Sequence, residues 1–322
     1  MGVADADTLS SMDCLGMIYM SLGQITNAIA ICEESVAIAR TNFSPDDPTT
    51  LSAMANLASA YQRNRQVKDA LPLRKAVLER RQRIYGPKSS QTLISMMNLA
   101  SAYELDGDIK AAIDLNEKVL GLRLSELEPD HPDTYYSMHN LAAAYSKGGR
   151  LPEAIELAKK TVEGRRKKLG PDHPETLKSM SSLAVYYQDE GQFSNAIPIY
   201  EQTFALAESR FGANHPTPLE FLHKLAFAYY EAGQWSNAIP KLQEALKRYQ
   251  AQTGETSGSA LVEMTRLGVA YAMSGQSNQS AQMWMEFVSA RKNAPEADAL
   301  AVANTLRSEE RRVGKECRSR WA

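Results

Sequence analysis

Apolar and polar positions alternate along this chain with two nested periods. Over one turn or two the spacing is helical: Met138, Leu141, Ala142 and Tyr145 fall at i, i+3, i+4 and i+7, a single face of an amphipathic helix. Over the whole chain that face returns every 42 residues, at Tyr19, Tyr61, Tyr103, Tyr145, Tyr187, Tyr229 and Tyr271, with no insertion or deletion between anchors. Four places before each tyrosine stands a leucine: Leu15, Leu57, Leu99, Leu141, Leu183, Leu225 or Leu267. Three places before it stands Gly16, Ala58, Ala100, Ala142, Ala184, Ala226 or Gly268, small enough for a second helix to approach. Seven places before it, Met12, Met54, Met96, Met138, Met180 and Met264 share a register with Leu222. Methionines in such a series could form an adaptable binding face. Their helical phase with the leucines assigns them to the core instead.

After each tyrosine the pattern changes. Four places on comes Gly23, Gly107, Gly149, Gly191, Gly233 or Gly275, with Arg65 the exception, and glycine there suits a helix C-cap or tight turn. Nine places on comes Ala28, Ala70, Ala112, Ala154, Ala196 or Ala238, replaced by Ser280 in the last unit. Each unit therefore predicts helix A, a turn and helix B. In the fourth unit helix B begins near Pro152, continues through Ala154, Ile155, Ala158 and Val162, and stops at Gly170-Pro171. The connector Gly170–Pro174 has weaker echoes ending at Pro48, Pro132 and Pro216. Pro72, Pro198 and Pro240 share a further register eleven places after the tyrosine, read as early in helix B, where a lost hydrogen bond is tolerable, and as marking a repeated helix start.

One helical pair cannot bury its apolar face alone, so the units must stack, and seven exceed the roughly three that such arrays need. The pattern Leu-Ala-x-x-Tyr, with Gly four later and Ala five after that, resembles the tetratricopeptide signature, although its period is longer than the standard 34 residues. Asn-Leu-Ala-x-x-Tyr at Asn140–Tyr145, together with the Gly-Pro-Asp-His-Pro connector, resembles the kinesin light chain class of that repeat. The resemblance implies an all-α fold, a right-handed superhelical solenoid of seven helix-turn-helix repeats, that works by binding other polypeptides. The expected organisation is a leader over 1–7, seven units over 8–292, a C-terminal helical end or linker over 293–306 and a tail over 307–322. The same class occurs as the sensor portion of kinases and signal-transducing NTPases, so a regulatory part of a larger enzyme is the alternative reading.

The tail has a different origin. Residues 307–321, reading RSEERRVGKECRSRW, resemble the in-frame translation of a common sequencing adapter, hence an assembly artefact. A natural basic tail is the other reading. On the artefact reading the natural C-terminus is missing, and the sequence is a fragment of a larger protein.

Composition narrows the function classes. The formal net charge is −2, and it becomes −5 without the tail's six basic and three acidic residues, so nothing steers nucleic acid or a membrane surface. The basic runs Arg80–Arg83 and Arg165–Lys168 fall at the ends of helix B and read as solvated charge complementing the helix dipole. No apolar run approaches a membrane span and Met1–Met12 is no secretory signal. Cys14, Cys32 and Cys317 have no metal or disulfide spacing, and a cytoplasmic location follows. His131, His173 and His215 occupy one connector position, where stacking would separate them by ~10 Å or more, too far to share one ion. His139 and His223 lie on helix A without ligand spacing. With no phosphate loop, nucleophile elbow or kinase motif, no catalytic residue, no metal site and no cofactor is expected, and the chain is read as no enzyme.

The resemblance places helix A on the concave side of the array. Five places before the tyrosine stand Cys14, Asn56, Asn98, Asn140, Ser182, Lys224 and Arg266. An asparagine can pair with a peptide main chain whatever its side chains. By resemblance Asn56, Asn98 and Asn140 are the leading groove contacts, joined by His139, Arg63, Lys147, Lys224 and Arg266, with Glu104, Asp189 and Glu231 of opposite sign. The competing reading is that these amides satisfy neighbouring units of the array itself. The expected partner is a protein or peptide, in an unspecified oligomeric state.

Overall fold

A computed structural model describes residues 5–292, apart from Pro129 and Glu255, together with 303, 306 and 307. The readings of 293–306 and of the tail otherwise lie outside the described residues, as does Cys317. Fourteen helices of 16 to 19 residues follow one another among the described residues. They are α1 (Ala6–Ser21), α2 (Ile25–Asn42), α3 (Pro48–Arg63), α4 (Val67–Tyr85), α5 (Ser90–Asp106), α6 (Ile109–Glu126) and α7 (Pro132–Lys147). After these come α8 (Leu151–Leu169), α9 (Pro174–Asp189), α10 (Phe193–Phe211), α11 (Pro216–Glu231), α12 (Trp235–Thr253), α13 (Gly258–Met273) and α14 (Ser277–Lys292). Odd-numbered helices are the predicted helix A and even-numbered ones helix B. Contacts divide the chain within α8 into two compact units, Met1–Leu157 and Ala158–Ala322. In the first, each of α1 to α7 packs on the next and α1 also meets α3; in the second, α9 to α14 pack in sequence.

The local chemistry explains where the helices start and turn. Asp47, Ser89 and Ser257 cap α3, α5 and α13 with side-chain oxygens. The connector histidines do the same with nitrogen: Nδ1 of His131, His173 and His215 accepts the backbone N–H of Asp133, Glu175 and Thr217 at 3.1, 3.2 and 3.2 Å. The following proline lacks only an N–H that no helix would use. At the turn between helix A and helix B the backbone enters the left-handed region, and Arg65, with φ 60°, does so against the usual steric cost of about 1–2 kcal/mol. Pro72, Pro198 and Pro240 lie early in helix B as expected. Each lies on the sixth residue of its helix, a full turn inside, where it removes an i→i−4 bond.

The core is the predicted one except in the first repeat, where Leu15 is 38% exposed. The six alanines nine places after the tyrosine are fully buried, and the leucines from Leu57 to Leu267 are at most 6% exposed. Met54, Met96, Met180 and Met264 join them. The two glycines in the alanine column have a steric cause. A Cβ on Gly16 would stand 2.8 Å from the Cys32 sulfur, and one on Gly268 would stand 2.8 Å from the Trp284 ring. Ser280, in the last unit's alanine column, is buried because its hydroxyl donates to the Gly268 carbonyl at 2.8 Å.

Two sets of contacts join one helical pair to the next. The first is centred on the tyrosines. Tyr61 and Tyr145 donate to Glu33 and Glu117 at 2.6 and 2.8 Å, and Tyr229 to Glu201. Lys75 and Lys159 instead sit over the rings of Tyr103 and Tyr187, at 5.3 and 5.6 Å. The partner, 28 residues earlier on helix B, thus alternates acid and lysine from Glu33 to Glu201, and in the last repeat it is Gln243, which donates to Tyr271 at 2.6 Å. The second set corrects the reading of the basic runs as solvated charge at Arg165 and Arg81 only, since Arg83 and Arg166–Lys168 are exposed. Arg165 is 3% exposed and Arg123, in the same register, 4%. Arg123 donates to the Asp133 carbonyl and to Ser137 at 2.7 Å, and Arg165 to the Glu175 carbonyl at 3.0 Å and Ser179 at 2.7 Å. Arg81, half-buried, reaches Ser95 at 3.1 Å but faces Gln91 where the other two face an acid.

Candidate functional site

Within each unit, α3 meets α1, α7 meets α5, α11 meets α9 and α13 meets α11 through side chains 43 residues apart, one more than the repeat. In the first unit Asn140 Nδ2 meets the Met97 sulfur at 3.8 Å and Lys147 meets Glu104 at 2.5 Å. There Arg63 donates to the Met20 carbonyl at 2.8 Å, so its guanidinium closes the end of α1. In the second unit Lys224 reaches Ser181 at 3.1 Å, Arg266 reaches His223 at 3.4 Å and Gln188 donates to Glu231 at 2.6 Å. Several of the residues expected to await a ligand therefore take part in pairing between neighbours. How fully they are used differs from place to place.

Two cavities open between consecutive helices A of the first unit. One, of about 460 Å³, lies between α1 and α3 and is lined by Asp13, Cys14, Asn56 and, from α4, Arg81. Burial raises the Asp13 carboxyl above its ordinary value, and hydrogen bonds from Ser35 and Asn56 oppose that rise. Asn56 is thus engaged on a buried acid. Burial likewise lowers the Arg81 guanidinium. The other cavity, of about 370 Å³, lies between α5 and α7 and brings Asn98 and Asn140 together with Ser101, Glu104 and Tyr136. Asn98 makes no hydrogen bond to any described residue, and Asn140 makes only its long contact to sulfur. His139 stands half-buried beside Asn140 on α7.

The second unit fills the same register with charge. Lys224 is held by Glu220 at 2.7 Å as well as by Ser181. Arg266 is 9% exposed, lies over the Phe227 ring at 4.2 Å and stands 3.5 Å from Glu263. Glu263 is fully buried and closely bonded to His223 Nδ1. Glu263 Oε2 and Arg266 Nε are left with no partner among the described residues. A guanidinium so enclosed serves the packing of α11 on α13 before it serves a ligand.

Sequence reasoning missed the floor of the α5–α7 cavity, Asn116 on α6, which is 3% exposed. A signal was present. Thirteen places after the tyrosine the units carry Cys32, Arg74, Asn116, Ala158, Tyr200, Leu242 and Trp284, a column with no common chemistry inside an otherwise regular repeat. Among the described residues no three His, Cys, Asp or Glu side chains gather as a metal ion would need, and no helix is long and apolar enough to cross a membrane.

The family model for the tetratricopeptide repeat matches residues 7–73, 51–125, 133–209 and 182–251. The chain belongs to the tetratricopeptide repeat family. No curated protein matches it. Among solved structures, nearly identical TPR-like repeats attributed to a kinesin light chain of Podosopora anserina share 32% identity with a TM-score of 0.58, over 64% of this chain and 98% of that one. The tetratricopeptide repeat sensor protein of the signal-transduction ATPase (STAND) group from Pyrococcus horikoshii matches with a TM-score of 0.67 and 13% identity, over 88% of this chain and 42% of that one. A Rap protein solved with Competence and Sporulation Factor matches with a TM-score of 0.56 and 12% identity, over 91% of this chain and 81% of that one. The last two likenesses are of fold. Within the family, the longer repeat is of the kinesin light chain-like kind.

Proposed function

We infer that this protein is a non-enzymatic scaffold that holds a peptide or protein segment against its helix A faces, with no nucleic acid or membrane partner and in a cytoplasmic setting. One observation carries the reading: between α5 and α7 an open cavity is lined by Asn98, without a partner, and Asn140, bonded only to sulfur. Partly buried amides left this way keep donors and acceptors for an extended main chain, whose spare hydrogen bonds carry no sequence preference. Lys147 and Glu104 at the rim, paired to each other, contribute orientation more than net charge. Lys224 and Arg266, already engaged, are secondary contacts.

The test is a displayed random-peptide selection on the whole chain, followed by titration of the selected peptides against N98A/N140A. A loss of about tenfold or more with unchanged helicity is expected, the size of one or two hydrogen bonds. Selected peptides that bind both proteins equally well would remove the groove assignment. The likeness to the Pyrococcus horikoshii protein with a repeat sensor favours a second reading, in which the chain is the regulatory portion of a kinase or signal-transducing NTPase. A catalytic motif in the full-length gene would establish it, and the peptide site would then act as the sensor.

A further inference from the structure

The cavity between α5 and α7 has a floor as well as walls. Asn116 rises from α6 beneath the two helices A, 97% buried, and its amide makes no hydrogen bond to any described residue. The amide opens on the cavity, which packing does not require, and an apolar residue of the same size would serve at that place if packing were its whole task. The same column shows such residues in other units: Leu242 is fully buried there, and Arg74, polar and buried, is satisfied by Gln62 at 2.6 Å and Ser59 at 2.8 Å. Asn116 is the polar residue in this column that opens on a cavity and has nothing to bond.

We propose that Asn116 reads one side chain of the bound peptide, and that this side chain ends in a carboxamide, as in glutamine. The proposal rests on the groove reading above and adds the chemistry of one subsite. Three features select the group. Ile94, 42% exposed, and Tyr136, 43% exposed, line the cavity together with Met97 and Ala143 and offer apolar surface to a methylene stem. The one carboxylate in the lining, Glu104, is neutralised by Lys147 at 2.5 Å, so the walls offer a charged group no net counter-charge for the water it would lose. The floor presents an amide donor and an amide acceptor together, which a second carboxamide matches with two parallel hydrogen bonds. An aliphatic side chain would leave Asn116 unpaired, and an ammonium or guanidinium would offer its acceptor donors and leave its donor facing donors.

The experiment uses the full chain labelled with ¹⁵N at asparagine, with N-acetylglutamine methylamide as probe and the corresponding blocked leucine, serine, glutamate and arginine as controls. The side-chain resonances of Asn116 are assigned by their loss in Asn116→Leu. The glutamine probe should move them in a saturable way, and the controls should move them several-fold less. In parallel, peptides selected on the wild type should be enriched in glutamine at one position and bind Asn116→Leu about tenfold more weakly, as expected for the loss of a pair of neutral hydrogen bonds. Should Asn116→Leu prove unstable, Asn116→Ala replaces it in the titrations. Equal shifts with blocked arginine or leucine, or no shift with glutamine, overturn the proposal. Peptides that lose binding with N98A/N140A yet show no glutamine and no response to Asn116→Leu overturn it while leaving the main-chain groove intact; failure of both sets of variants to weaken any peptide overturns both.

Discussion

The two compact units use one repeat for opposite ends. In the first, the register five places before the tyrosine holds asparagines, and a cavity remains open between the helices A that carry Asn98 and Asn140. In the second, the same register holds Lys224 and Arg266, and their partners Glu220, His223 and Glu263 close around them. Short neutral amides leave room and unsatisfied bonds; long cations fill the space and demand counter-charge. Groove chemistry can therefore vary along an array whose backbone spacing never does, because the alanine, leucine and tyrosine columns fix the spacing independently.

The contrast can be broken most forcefully at Glu263. Glu263→Ala leaves Arg266 buried without its acid, and a loss of about 3–5 kcal/mol is expected for such a broken pair. Hydrogen exchange across α13 reports it better than a global melting curve, since repeat arrays need not unfold in one step. If α13 is unaffected, the charged rung is ornamental and the comparison fails. Next in size come Arg123→Ala and Arg165→Ala, one in each unit. Both remove charged donors from a helix A carbonyl and a serine, for about 1.5–3 kcal/mol each. Similar losses in urea titrations would show that the scaffold is common and that only the groove differs.

Smaller again is Arg65→Gly, which should raise stability by about 1 kcal/mol by placing glycine where the backbone is left-handed. Smaller still is Asn140→Ala in the first unit, whose contact to sulfur at 3.8 Å is too long to matter much to folding. An effect below about 0.5 kcal/mol on denaturant unfolding is expected, and a larger one would return the asparagines to a structural role.

The last prediction concerns pH. The Glu33 carboxylate, which accepts the Tyr61 hydroxyl, pushes the phenol up to about 12, and burial ahead of Glu201 pushes Tyr229 to the same value. The folded protein then holds protons that the unfolded chain releases near its ordinary value of about 10. These contributions are complete below pH 10 and are lost as pH rises towards 12. The stability difference between wild type and Tyr61→Phe should shrink over that window, with Tyr61 ionisation followed by absorbance in the ultraviolet.

Most of the fold was legible because each repeated position has one physical task. A tyrosine every 42 residues, with leucine and alanine at fixed distances before and after it, dictates two helices and a stack. The prolines' shared register places them early in helix B without showing that each lies a full turn inside it. Arg165 was misread, while Arg166–Lys168 beside it are exposed as expected, because a charge at a helix end looks the same in sequence whether it meets water or the next helix's carbonyl. The candidate site was half legible. Asn98 and Asn140 stand in a column whose resemblance identified it, whereas Asn116 contributes from helix B, and nothing in its own neighbourhood says that a cavity opens above it.

The alternation of the tyrosine partners has a consequence for building with this array. Glu33, Lys75 and Glu117 follow one another on successive B helices of the first unit, so each rung has neighbours of opposite sign. In charge the module is two hairpins long, although in shape it is one. Splicing out a single hairpin would keep every backbone contact yet set two glutamates on adjacent helices ~10 Å apart, a mild repulsion that salt would mask. Cutting by pairs between Glu33 and Glu201 keeps the signs in step, so 84 residues is the natural length in which to shorten, lengthen or graft that stretch.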